Sequence, residues 1–255
     1  MLLVGLLSAA STPGPKPVLQ QPFRVVLDAG HGGTSSGCHT EDGSIHEKDI
    51  ALVLAQDVAR ALGERLPHAE VVMTRSDDRT LALADRVASA NGGGADVFVS
   101  LHANASPRHD QTGFETFVLD AEASSVEAAL TARRENAAEG TSPPTGGATP
   151  QAKSMIEQLR ASAHRSAAIA LAQAIQREQS TRFPTRADRG VRQASFDVLL
   201  GVRMPAVLFE AGFLDHTSDK GVLVDAEQRR EVAEGIAAAL VEHYRRTSRG
   251  AARGG

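Results

Sequence analysis

Three short runs dominated by β-branched, aliphatic and aromatic residues read as buried strands: Val25-Val26-Leu27, leading into Asp28-Ala29-Gly30-His31; Val97-Phe98-Val99-Ser100-Leu101, leading into His102; and Ala206-Val207-Leu208-Phe209, leading into Glu210. Val71–Thr74 is a further short strand, Phe114–Leu119 alternates apolar with polar residues as an edge strand does, and Val191–Leu200 contains a strand or strand-turn. Between these runs the apolar positions follow the helical period. Ile50, Val53, Leu54, Val58 and Leu62 mark a helix stopped by Gly63. Leu83 and Val87 mark a second over Leu81–Ala90, Ile169 and Ile175 a third over Ser166–Gln176, and Val232, Ile236 and Leu240 a last over Ala226–Tyr244. Strand and helix alternate, which predicts an α/β fold: a single domain built on a twisted, mainly parallel sheet with helices on both faces.

The pattern is interrupted between residues 121 and 165. Ala121–Ala138 is rich in Ala and Glu and predicts a helix, residues 140–150 carry three prolines and three glycines, and helical spacing resumes at Ser154–Leu159. This stretch reads as a helical insertion. At the N-terminus, apolar Leu2–Leu7 followed by Ser8-Ala9-Ala10-Ser11 resembles a secretory leader, and four prolines between Ser11 and Pro22 form a linker. The expected organisation is a leader and linker over 1–22, a domain over 23–246 and a basic, disordered tail over 247–255. Such a leader implies export, and no later stretch is apolar for long enough to span a bilayer.

Composition narrows the function classes. At 255 residues the chain suits one large domain, and 27 Lys plus Arg against 31 Asp plus Glu without a basic block argues against nucleic-acid binding. With no Trp and one Tyr, an aromatic platform for stacking sugars is excluded as the main grip on a carbohydrate. Cys38, the single cysteine, has no internal disulfide partner and reads as a loop thiol.

If the three buried runs are neighbouring strands, His31, His102 and Glu210 meet at one sheet edge, where open α/β sheets bind ligands. Two imidazoles and a carboxylate leave a coordination position open, as catalytic zinc sites do, and the same trio also describes non-haem iron. The glycines around His31 let the chain turn sharply off its strand, but they lack the fuller pattern and following helix of a phosphate loop. Glu47 stands three residues after Ser44, the spacing of a capping box, and Ile50 occupies the place of the second histidine of an H-E-x-x-H motif. Taken alone, His102 reads as a strand-end histidine satisfied by backbone. Glu210, after four apolar residues, needs either a charged partner or a catalytic role as general base. His39, His68, His109, His164, His216 and His243 read as surface residues.

The ordered blocks Leu27-Asp28-Ala29-Gly30-His31-Gly32-Gly33, Glu47-Lys48, Thr74-Arg75, Ser100-Leu101-His102-Ala103-Asn104, Gly113-Phe114-Glu115-Thr116 and Met204–Phe213 resemble the zinc-dependent N-acetylmuramoyl-L-alanine amidases of the amidase-3 type. The resemblance covers about Phe23 to Tyr244, the extent of one large domain. It implies one zinc ion held by His31, Glu47 and His102, Glu210 as the catalytic glutamate, and hydrolysis of the amide joining N-acetylmuramic acid to L-alanine in peptidoglycan. Ala132-Arg133-Arg134-Glu135-Asn136 is similar to part of the helix that blocks the zinc site in cell-division members until an activator protein displaces it. That implies an autoinhibitory role for Glu135, an activator partner and a place in daughter-cell separation. A monomer is expected. The competing readings are a non-haem iron oxygenase and a catalytically silent wall-binding module.

Overall fold

The computed structural model describes residues 22–106, 108–138 and 155–251. The leader and linker up to residue 21, the Gly- and Pro-rich part of the insertion and the last four residues lie outside them. Six strands form one sheet in the order β2-β1-β3-β6-β4-β5. Four of them, β1 (Arg24–Ala29), β2 (Glu70–Met73), β3 (Val97–Asn104) and β6 (Ala206–Phe213), run parallel. β4 (Phe114–Leu119) and β5 (Asp188–Ala194) run parallel to each other and join the rest through the antiparallel β4–β6 pair.

One face of the sheet is covered by α1 (Glu47–Arg65), α4 (Met155–Arg182) and α6 (Ala226–Ala251), with the short α5 (Thr217–Val224) beside α6. The opposite face is covered by α2 (Leu83–Gly92), α3 (Val126–Ala138) and a 3-10 turn over Asp197–Leu199. Every residue of β3 and β6 is buried, so these two strands are sequence runs with helices on both sides. The single α/β domain expected from the alternation is what forms.

Several details differ from the sequence expectation. β4 is interior, because the polar strand Asp-Arg-Gly-Val-Arg-Gln-Ala of β5 takes the sheet edge. α1 passes through Gly63, whose surroundings are open, and closes at Arg65 with Leu62 and Leu66 buried beneath it. The segments read as separate helices near 154–159 and 166–176 are parts of one helix, α4. α6 continues past Tyr244 to Ala251, and His243 is buried on it against Phe23 rather than exposed. β3 and β6 continue beyond His102 and Glu210, so these residues are interior to their strands, not at the ends.

Candidate metal centre

Three parallel strands deliver the site. β1 leads through Gly30 to His31, which adopts a left-handed backbone (φ 59°) that few non-glycine residues accept. That turn swings the ring across the sheet edge towards His102. Gly30 is required for it: a side chain there would overlap the His102 imidazole. The two rings meet edge to face with centroids 5.0 Å apart. On the next strand Glu210 stands in direct register with His102, and Glu115 of β4 stands in register with Glu210 from the other side.

Glu47 is the first residue of α1 and does not serve a capping box. The helix is preceded by His46, which makes no side-chain cap, while Ser44 donates to Asp42 in the preceding turn. With the local turn stabilised by Thr40, Asp42 and Ser44, the Glu47 carboxylate is free to turn inward. Its Oε2 accepts from the Cys38 N–H (2.9 Å), and its Oε1 accepts from the Ala103 N–H (3.1 Å). The same Oε1 lies 3.0 Å from His31 Nε2 and 2.9 Å from His102 Nδ1.

A fourth side chain completes the cluster. Glu135 Oε2, on α3, lies 3.0 Å from His31 Nε2 and 3.2 Å from His102 Nδ1. One ligand-capable atom from each of His31, Glu47, His102 and Glu135 lies within 4.8 Å of all the others, and all four residues are buried. Buried nitrogen and oxygen donors converging this closely fit a divalent transition cation of the zinc class. Cys38 stays outside the group. Its thiol donates to the Ala103 carbonyl (3.0 Å) and is pushed well up by burial and by Glu47.

α3 is pinned over the cluster by residues on both sides of Glu135. Arg134 donates to the Asn104 side-chain oxygen and to the Ala105 carbonyl, each at 2.7 Å, and Asn136 bridges the Ser195 carbonyl and the Asp197 N–H. Ser35 Oγ, 3.0 Å from His31 Nδ1, donates to the Ala138 carbonyl at 2.9 Å.

The electrostatics follow from two imidazoles facing two carboxylates, all four residues buried. Burial disfavours a charged His31, but Glu47 and Glu135 outweigh it and raise its pKa to about 10. Burial and the Glu47 charge work against an ionised Glu135, yet hydrogen bonds from His102 and His31 hold it at about 2. Glu210 is the exception. Burial, with Glu135 and Glu47 nearby, pushes its carboxyl well above the usual range. Neither of its oxygens accepts a hydrogen bond among the described residues, and the Arg134 guanidinium comes only to 4.0 Å. A buried acid so poorly satisfied is costly and points to a functional role.

Behind the cluster lies a polar network that the sequence reading did not assign. Asp28, fully buried on β1, accepts from Thr74 Oγ1 (2.6 Å), from Arg86 (2.8 Å) and from Ser100 Oγ (2.7 Å). Arg86 also donates to the His31 carbonyl at 2.7 Å. The available signal was an acid inside an apolar strand matched by an arginine on the same helix face as Leu83 and Ala90.

Comparison with known proteins gives the family. The N-acetylmuramoyl-L-alanine amidase family model matches residues 25–242, and the chain belongs to that family. The protein is therefore an amide hydrolase of the N-acetylmuramoyl-L-alanine amidase class, which sets aside the oxygenase and silent-module readings. It is 30% identical to AmiC of Escherichia coli O6:H1 over 92% of this chain and 56% of that protein. To AmiA of E. coli K12 it is 30% identical over 86% of this chain and 75% of that protein. Among solved structures, the catalytic domain of the amidase CwlV from Paenibacillus polymyxa is 30% identical, with a TM-score of 0.65 over 87% of this chain and 97% of that one.

Proposed function

We propose that this protein is a zinc-dependent amidase that cleaves the bond between N-acetylmuramic acid and L-alanine, is exported to the cell wall, and is held inactive by α3 until an activator removes it. The observation that carries the reading is the convergence of His31, Glu47, His102 and Glu135 within 4.8 Å beside the unsatisfied Glu210. His31, Glu47 and His102 would hold the ion from the fixed body of the domain, and Glu135 would take the position that substrate needs. A zinc ion in this cluster supplies Lewis acidity for the scissile carbonyl and lowers the pKa of water.

The protein's own residues do the rest. Glu210 takes the proton of the attacking water and delivers it to the leaving nitrogen, the general base and then general acid of one turnover. With Glu135 in place, burial and the neighbouring Glu135 and Glu47 charges hold the Glu210 carboxyl above the usual range. Removing Glu135 takes away one of the charges that raise it and opens the site to substrate at the same time. Arg134, which holds Asn104 and the Ala105 carbonyl in the closed arrangement, would leave with α3.

A role in daughter-cell separation rests on the likeness of residues 132–136 to the regulatory helix of cell-division amidases. The expected substrate is peptidoglycan, the expected partner an activator that competes for α3, and the expected enzyme a monomer. No helix among the described residues is long and apolar enough to cross a membrane. Mass analysis of purified peptidoglycan digested by the zinc-loaded protein tests the reaction. Free stem peptides beginning at L-alanine, enhanced in Glu135→Ala and strongly reduced in Glu210→Gln, are the expected products; cleavage elsewhere in the polymer would overturn the assignment.

A further inference from the structure

His102 is held from behind as well as from the cluster. Its Nδ1 faces Glu47 and Glu135, while its Nε2 lies 3.1 Å from Ser100 Oγ, fully buried on the same strand. A serine hydroxyl has one proton to give, and the partner that takes it is decided by Asp28. Burial works against an ionised Asp28, but Arg86 at 2.8 Å and the hydrogen bonds from Thr74 and Ser100 keep its carboxyl below the ordinary range. A carboxylate only accepts. Ser100 therefore donates to Asp28 Oδ2 at 2.7 Å, and towards His102 it can offer only a lone pair. The remaining hydrogen bond closes if His102 Nε2 carries the proton.

We propose that Asp28 and Ser100 are positioning residues that fix His102 with its hydrogen on Nε2, so that Nδ1 is the atom committed to the cation. This rests on the metal reading given above and adds a direction to it: Arg86 polarises Asp28, Asp28 orients the Ser100 hydroxyl, and Ser100 selects the imidazole tautomer. Because Arg86 also holds the His31 carbonyl, one buried ion pair fixes the backbone of one histidine and the ring of the other. Neither positioning residue touches substrate. Outer hydrogen bonds of this kind set ligand orientation and basicity, and their loss costs metal affinity.

Thr74 provides the control. It donates to the same Asp28 carboxylate from β2's end of the network but makes no contact with His102. Zinc affinity is measured by competition with a chromogenic chelator in the full chain, the Ser100→Ala variant and the Thr74→Val variant, with thermal unfolding followed in parallel. Ser100→Ala should weaken zinc binding about 10- to 100-fold, whereas Thr74→Val should stay within about threefold while losing comparable stability. In nitrogen-15 spectra, His102 Nε2–H should be protected from exchange in the wild type and in Thr74→Val and lose that protection in Ser100→Ala, with or without zinc. Equal affinity losses in the two variants, or a zinc-loaded His102 without a proton on Nε2, would overturn the proposal. A wild type that binds no zinc would count against the metal centre itself, whereas an Nε2–H exchange rate unchanged by Ser100→Ala would count against the role of Ser100 and Asp28.

Discussion

His102 and His31 present nitrogens to the same pair of carboxylates, yet the groups behind them differ. His102 is backed by Ser100, Asp28 and Arg86, all buried between strands and α2. The His31 ring is backed by Ser35, whose hydroxyl is held by the Ala138 carbonyl at the end of α3. The same division runs through the carboxylates. Glu47 and Glu210 lie on α1 and β6, whereas Glu135 arrives on α3, whose other buried residues are Ala128, Ala132 and the polar Thr131. One half of the site thus sits on the central strands and α1, and the other on a helix that adds two small alanines to the core and several polar contacts around Glu135. On the proposed function, catalysis belongs to the first half and control to the second.

Substitutions in the two halves should move activity in opposite directions. Glu210→Gln removes the proton carrier from the fixed half and should lower turnover about 10²- to 10⁴-fold, with zinc content unchanged by elemental analysis. Arg86→Met leaves the Asp28 carboxylate buried without its cation and should cost about 3–5 kcal/mol of stability, read from urea denaturation. If it costs no more than a surface substitution, the anchored half is not anchored. Glu135→Ala acts on the other side, and basal peptidoglycan hydrolysis should rise about tenfold, the size of one coupling of roughly 1–2 kcal/mol. Unchanged basal hydrolysis would sink the blocking role of α3. Ser35→Ala, which removes one α3 contact, should weaken docking by about 1 kcal/mol and raise basal hydrolysis only a few-fold, with faster hydrogen exchange confined to α3.

The pH dependence of metal binding sharpens the comparison further. In the metal-free fold His31 titrates near 10 rather than 6.5, so at neutral pH the imidazole is charged. Its folded pKa is raised, so its pairing with the carboxylates contributes stability that is fully present below about pH 6.5 and is lost progressively as pH rises to and through about 10. A cation must displace that proton. Zinc affinity should therefore rise with pH between 7 and 10, with proton release measurable by calorimetry in buffers of different ionisation enthalpy.

Much of this arrangement was legible before the fold was known. Alternating strand and helix periods implied a parallel sheet, and apolar runs ending near His31, His102 and Glu210 implied a shared edge. Glu47 was the residue that local reasoning misread, because Ser44 three positions earlier satisfies the spacing of a cap. Only the fold turns Ser44 towards Asp42 and Glu47 towards the histidines. The Asp28–Arg86 pair was hidden for a similar reason: 58 residues separate its members, and no local period links a strand acid to a helix arginine. The edge position expected for β4 failed because β5, too polar to stand out as a strand, pairs outside it.

On the proposed function, His31, Glu47 and His102 would hold one zinc ion while Glu135 closes the site from α3. Diffraction from crystals of the zinc-loaded protein at the zinc absorption edge tests this most directly. A single anomalous peak bonded to His31 Nε2, His102 Nδ1 and Glu47, with Glu135 as the remaining protein contact, is expected. A peak elsewhere, or an ion bound without His102 Nδ1, would contradict it.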